Sequence, residues 1–186
     1  MKIIPLFKDE PRLILKASKS DRVAQRCLYE KYAPKMLALC RGYVKDLQFA
    51  EDVMHKGFLK VFMHLQSFTE RGSFEGWVRR IMVNESINFL KQKRLLVFES
   101  DINELEIEKS PEVSVKSDAE YLLRIIDQLP HEYRIVFMLY AIEGYTHKEI
   151  ALAFNISEAT SRSKLSKARK LLQKKLKLTQ KKYETL

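Results

Sequence analysis

Glycine and proline are scarce in this chain of 186 residues, five of each. Tight turns lean on those two residues, so few are expected and long helices are favoured. Cysteine is scarcer still. Cys27 and Cys40 sit in apolar helical contexts that fit reduced core residues better than a disulfide, and two scattered thiols give no zinc spacing. The four histidines, His55, His64, His131 and His147, form no ligand cluster with them. His55 and His64 could share a helix, but at 100° per residue their spacing sets them about 180° apart. Neither a metal nor any other cofactor is expected. No apolar run approaches the roughly 20 residues that a bilayer-spanning helix needs. The opening stretch "MKIIPLFKDEPR" has no long apolar core and no small-residue cleavage site, so it does not read as a signal peptide. The expected location is the cytoplasm, with no stable membrane insertion.

What the chain has in quantity is charge, mostly of one sign. Hydrophobic residues make up 46% and charged residues 31%, a globular balance. The formal net charge is +10 and the pI about 9.5. Such a surplus favours a polyanionic partner, nucleic acid or an anionic membrane surface, over a basic surface kept for solubility. The length allows one large domain or two small ones.

Composition shifts once. "VFESDINELEIEKSPEVSVKSD", Val97 to Asp118, holds seven acids and two lysines. Its apolar residues keep no helical period, and Ser110-Pro111 breaks any helix, so the segment reads as a mobile acidic linker over 97–117. It separates a block at 1–96 from a block at 118–186. Neither block has a sustained strand-like alternation, so the fold class is all-α, two small helical domains.

The first block reads as helices. Ser20 is expected to cap "DRVAQRCLYEKYAPKMLALCRGYV", where Val23, Cys27, Leu28 and Tyr32 recur at helical spacing and Pro34 marks a kink or a break. "FAEDVMHKGFLKVFMHLQSF" carries Val53, Met54, Phe58, Val61, Phe62 and Leu65 on one stripe. "SFEGWVRRIMVNESINFLKQKR" carries Phe74, Trp77, Val78, Ile81, Ile87 and Leu90. Most of these are expected in the core, Trp77 among them. Between the two segments lies the polar loop "TERGS" with Gly72.

The second block contains "YTHKEIALAFNISEATSRSKLSKARK". Thr146 and Glu149 form a capping-box pair opening a short helix, Lys148 to Phe154. Asn155 suits the left-handed residue that closes it, and Ser157 caps the next helix. There Leu165, Ala168 and Leu172 face a core while Arg162, Ser163, Ser166 and Arg169 fall opposite. Helix, short turn, helix is the helix-turn-helix, whose second helix fits the DNA major groove. Between Ser157 and Lys182 stand ten Lys or Arg and one acid, a surplus suited to phosphates. A solvated basic helix in a small bundle would share the charge but not the capping and the turn.

Together the two blocks resemble bacterial sigma factors of the extracytoplasmic-function group, in the sigma-70 family. "LYEKYAPKMLALCRGYV", "AEDVMHKGFLKVF" and "LQSFTERGSFEGWVRRIMVNESINFLKQKR" are similar to sigma region 2. "IIDQLPHEYRIVFMLYAIEGYTHKEIALAFNISEATSRSKLSKARKLL" is similar to region 4. The resemblance implies a protein without catalysis of its own that binds core RNA polymerase, at the β′ clamp and the β flap, and gives it promoter specificity. Promoter DNA is the second partner, and an anti-sigma factor a further candidate. Region 2 would melt the −10 element with Phe68, Gly72, Phe74 and Asn84 around an unstacked base and Arg79, Arg80, Lys91, Lys93 and Arg94 on the backbone. It would hold polymerase through Asp52, Val53, His55, Lys56 and Phe58. His55 stands where the family usually has glutamine and Lys56 where it usually has an acid. Region 4 would read the −35 element, with base-reading positions at Arg162, Ser163 and Ser166, phosphate contacts at Lys164, Lys167 and Arg169, and Thr160 on the same helix. Ser161 replaces a usual valine, and its hydroxyl is expected to return to a backbone carbonyl one turn back. A stand-alone helix-turn-helix regulator explains the second block but not the first. A nucleic-acid enzyme would need an acid or metal cluster that the sequence lacks.

The linker reading has a direct check. Residues 97–118 should exchange their amide protons in the free protein with almost no protection, and strong protection there would exclude a mobile tether.

Overall fold

The computed structural model describes residues 9–69, 71–97 and 118–183, with side chains excepted at 94–97, 118–121, 123 and 178–183. The described residues are all helix or connecting turn, without a strand. They fall into two units. The first holds α1 (Glu10–Ser18), α2 (Arg22–Tyr43), α3 (Leu47–Met63), a 3-10 turn at Leu65–Ser67 and α4 (Phe74–Val97). The second holds α5 (Asp118–Asp127), α6 (His131–Phe137), a π turn at Met138–Ile142, α7 (His147–Phe154) and α8 (Glu158–Tyr183). The expected linker falls, Val97 apart, outside the described residues.

In the first unit α2, α3 and α4 pack around Leu28, Met36, Val53, Val61, Val78 and Met82, all 2% exposed or less. Gly57 lets α3 and α4 approach. A Cβ there would run into Met82 Sδ, itself fully buried. Cys40 is buried and Cys27 half-buried, both as free thiols. Burial pushes the Cys40 thiol up to about 11, which leaves it inert.

Helix α1 had no counterpart in the sequence reading. Asp9 caps it, accepting from the Arg12 amide at 3.3 Å, and Pro11 sits in the first turn, where a missing N–H costs nothing. Its Glu10 carboxylate docks on α2, accepting from the Tyr32 hydroxyl at 2.8 Å and from the Lys31 ammonium. Burial works against the Glu10 charge, but Lys31 and Tyr32 outweigh it and hold the carboxyl below its ordinary range.

Three readings need correction. The cap of α2 is Asp21, not Ser20. Asp21 Oδ1 accepts from the amides of Val23 and Ala24 at 2.9 and 3.0 Å, while Ser20 takes a left-handed φ of 66° and donates its amide to Ala17. Pro34 breaks nothing, because α2 runs through it from Arg22 to Tyr43. Its cost is the one bond that residue 34 cannot donate to the Glu30 carbonyl. Val23 is 68% exposed, because it lies about 100° around the helix from the buried line of Ala24, Leu28 and Tyr32.

In the second unit Leu129, Leu139, Ile150 and Ala168 are fully buried. So is the Arg134 side chain, at 1% exposure. It reaches His131 Nδ1 at 3.3 Å and Asp127 at 3.8 Å, while its Nε has no hydrogen-bond partner. Desolvation lowers its pKa and Asp127 partly offsets that. Arg134 ties the first turn of α6 to the end of α5.

The corrected face of α2 predicts a contrast. Leu28→Ala should cost about 2–5 kcal/mol by leaving a cavity, whereas Val23→Ala should stay within about 0.5 kcal/mol. Urea unfolding of both variants, followed through the single tryptophan of this unit, checks it.

Candidate nucleic-acid interface

The helix-turn-helix is built by three local devices. Thr146 Oγ1 accepts from the Glu149 amide at 3.2 Å, and Glu149 Oε2 accepts from the Thr146 amide at 2.8 Å, a complete capping box. α7 therefore begins at His147, one residue before the expected start. Asn155 ends it at φ 51°, ψ 50°, the left-handed conformation that asparagine tolerates. Ser157 Oγ accepts from the Thr160 amide at 3.0 Å and opens α8.

α8 docks by one edge. Ser161, Leu165 and Ala168 are buried and Leu172 half-buried. The opposite side, with Arg162, Ser163, Ser166, Lys167 and Arg169, is exposed. Arg162 donates to Glu158 at 2.8 Å, an i,i+4 pair worth little in solvent. Arg169 lies over the Tyr140 ring at 5.8 Å and Lys167 over Tyr133 at 5.9 Å. Lys164 pairs with Glu132 of α6, which makes it a strut between the two helices. The Thr160 hydroxyl is half-buried and engaged by Ser157 Oγ at 2.8 Å.

Ser161 does not behave as expected. Its Oγ lies 2.9 Å from His147 Nδ1, across the two helices. The His147 ring stacks on Tyr140 at 4.4 Å and 22°. Burial lowers the His147 pKa, helped by Arg162 and Arg169 and opposed by Glu158. No sequence spacing announced this pair, because its partners are 14 residues apart on different helices.

On α4 the exposed side chains of Arg80 and Asn84 and the half-buried Lys91 fall within about 40° at 100° per residue. Arg79 is half-buried, and the Lys93 ammonium sits over the Phe49 ring at 4.8 Å. The Arg94 side chain lies outside the described residues. The loop before α4 turns at Gly72, whose φ of 142° favours glycine. Phe74 is corrected from a base contact to a core residue. It is 4% exposed, with its ring against Tyr32, Phe68 and Trp77 at 5.5, 5.3 and 5.8 Å. Phe68 and Trp77 are half-buried, so they and not Phe74 border the surface.

On α3, Asp52, His55 and Lys56 are exposed. Val53 and Phe58, 2% and 3% exposed, are corrected from surface contacts to core residues, because they face α2 and α4. His55 Nε2 and the Tyr29 hydroxyl are 3.1 Å apart, at the rim of a groove between α2 and α3 lined by Pro34, Leu37, Glu51 and Met54. Among the described residues no three metal-ligating side chains come together, and no helix is long and apolar enough to cross a membrane.

The chain thus carries a helix-turn-helix unit and a second helical unit with an exposed polar face on one long helix. Residues 28–95 match Sigma-70 region 2 and residues 119–172 match Sigma-70, region 4. The chain belongs to the sigma-70 family, in its extracytoplasmic-function group. It is 28% identical over 182 residues to the RNA polymerase sigma-H factor of Pseudomonas aeruginosa, covering 91% of this chain and 94% of that one. It is 27% identical over 177 residues to the ECF RNA polymerase sigma-E factor of Escherichia coli, covering 88% and 92%. The fold is that of the sigma factor RpoE solved with the anti-sigma factor NepR from Bartonella quintana, with a TM-score of 0.52 at 20% identity over 82% of this chain and 96% of that one.

His147 gives this site a pH dependence. Its folded pKa lies below the ordinary value of 6.5, so its contribution to stability is present above that value and lost as pH falls through the folded pKa. Hydrogen exchange of α7 and α8, corrected for intrinsic rates, should show local stability falling between pH 7.5 and 5. His147→Gln should make the fall smaller.

Proposed function

We propose that α8 reads the −35 element through Arg162, Ser163 and Ser166, and that α4 with the Gly72 loop acts at the −10 element through Arg80, Asn84 and Lys91. The frame for this is the family's role. The chain is a sigma factor that binds core RNA polymerase and directs promoter-specific initiation, and sigma factors are initiation factors without catalysis of their own. The observation that carries the −35 reading is the separation of α8 into a buried edge, Ser161, Leu165 and Ala168, and an exposed face that presents Arg162, Ser163, Ser166, Lys167 and Arg169. Arg162 is the strongest base reader, since guanidinium matches the acceptor pair of guanine. Exchange of its weak Glu158 contact for DNA costs little.

For polymerase, the exposed Asp52, His55 and Lys56 and the α2–α3 groove are the proposed clamp contact, with Val53 and Phe58 behind them as support. The proposed place of action is the cytoplasm, with the polymerase. A stand-alone regulator would use α7 and α8 but has no need of the first unit. Co-purification with core polymerase, and run-off transcription by the reconstituted enzyme on a genomic library, test the whole reading. Failure of both would overturn it.

At residue level, Arg162→Ala should cost about 1–3 kcal/mol on the preferred −35 element and flatten preference at one base position. Lys167→Ala should weaken all sequences alike and lower the salt slope by about one. Holoenzyme binding to a series of −35 variants across salt concentrations measures both. An equal loss on every sequence for Arg162→Ala would remove it from base reading.

A further inference from the structure

The seam between α7 and α8 is apolar except at one place. Ile150, Ala151, Leu165 and Ala168 are buried there, and so is Ser161, whose Oγ meets His147 Nδ1 at 2.9 Å. Each partner is fixed from behind. His147 stands at the start of α7, against the capping box, with its ring stacked on Tyr140 of the π turn. Ser161 is held in the first turn of α8 by the hydrogen bond its backbone N–H donates to the Ser157 carbonyl.

Apolar attraction has no direction of its own and resists a small rotation only through side-chain shape, whereas a hydrogen bond has a preferred angle. A small alanine such as Ala168 gives little purchase against turning. A valine at position 161 would dock by shape, and serine has no such bulk. Arg162 is the next residue in the chain, and Ser166 follows one turn on. A turn of α8 by about 20° moves a group at the helix's outer radius of about 5–6 Å by about 2 Å, most of the length of a hydrogen bond to a base edge.

We propose that the His147–Ser161 hydrogen bond is the positioning contact that sets the rotation of the recognition helix, and with it the base edges that Arg162, Ser163 and Ser166 address. The inference rests on the −35 reading of α8. His147 and Ser161 are positioning residues, and neither touches DNA.

The test uses the full chain, alone and with core polymerase, in three variants. Ser161→Ala removes the hydroxyl. His147→Phe keeps an aromatic ring against Tyr140 but lacks Nδ1. The double variant His147→Phe with Ser161→Val leaves no polar atom in the seam. Each single change should lower the ratio of binding to preferred over altered −35 elements by about threefold to tenfold, the size of one net hydrogen bond, and should shift binding to unrelated duplex by less than about twofold. The double change should return the ratio to within about twofold of the parent, because removing both polar partners leaves none unsatisfied. Without DNA, amide exchange in the first two turns of α8 should quicken in the single variants and slow again in the double. Parental ratios in both single variants would overturn the proposal, as would a double variant that loses the sum of the two. A parent without any −35 preference would overturn the −35 reading and the base-addressing role with it. The exchange arm would then still show whether the bond docks α8.

Discussion

The buried edge of α8, Ser161 with Leu165 and Ala168, decides what the rest of the second unit can do. Spacing of four and then three residues puts them in one line along the helix, so burying them commits Arg162, Ser163 and Ser166 to solvent. The other elements serve that line. α7 supplies Ile150 and Ala151 beneath it, and α6 brings Glu132 to Lys164 at its flank. Arg134 fixes the start of α6 to the end of α5 at the expense of a desolvated guanidinium. Such a buried cation adds little net stability against an apolar substitute, but leaving it without Asp127 and His131 would be strongly unfavourable.

The first unit divides its labour differently. α4 is a single helix with a core side and a polar side, and Gly57 allows it to lie close against α3. With the backbones that close, Met82 fills the space a side chain at residue 57 would have taken. The polar side of α4 then needs no loop to support it. Lys60 of α3 holds Glu85 at 2.6 Å, with the Glu85 side chain largely buried, and Lys35 reaches Glu75 from α2 at 2.9 Å. The second pair is at the surface and contributes alignment more than energy.

Local chemistry was legible in the sequence wherever both partners lay within one helical turn. The Thr146–Glu149 box, the left-handed Asn155 and the Ser157 cap all required only neighbouring residues, and all are present. Where two neighbours offered the same chemistry, the choice was not legible. Ser20 and Asp21 can both cap, and Asp21 prevails because its carboxylate serves two amides while residue 20 turns left-handed. Apolar periodicity placed Leu28, Tyr32 and Leu165 correctly but could not say how far around the helix a stripe extends, hence Val23. It also could not separate a surface aromatic from a core one, hence Phe74, or an exposed residue of α3 from a buried neighbour, hence Val53 and Phe58. The pairs that join distant segments, Glu10 with Tyr32 and His147 with Ser161, leave no trace in local pattern.

α8 is longer than the motif it completes. Its 26 residues span about 39 Å at about 1.5 Å per residue, and the region 4 match stops at residue 172 while the helix goes on to Tyr183. Lys175 donates to Gln128 Oε1 at 2.7 Å, which ties this later part of the helix to the turn after α5. Because the helix is continuous, the stretch past residue 172 carries Lys174, Lys175 and Lys177 along an axis that runs on for about 16 Å beyond the matched segment, so the basic surface of this unit is longer than its helix-turn-helix.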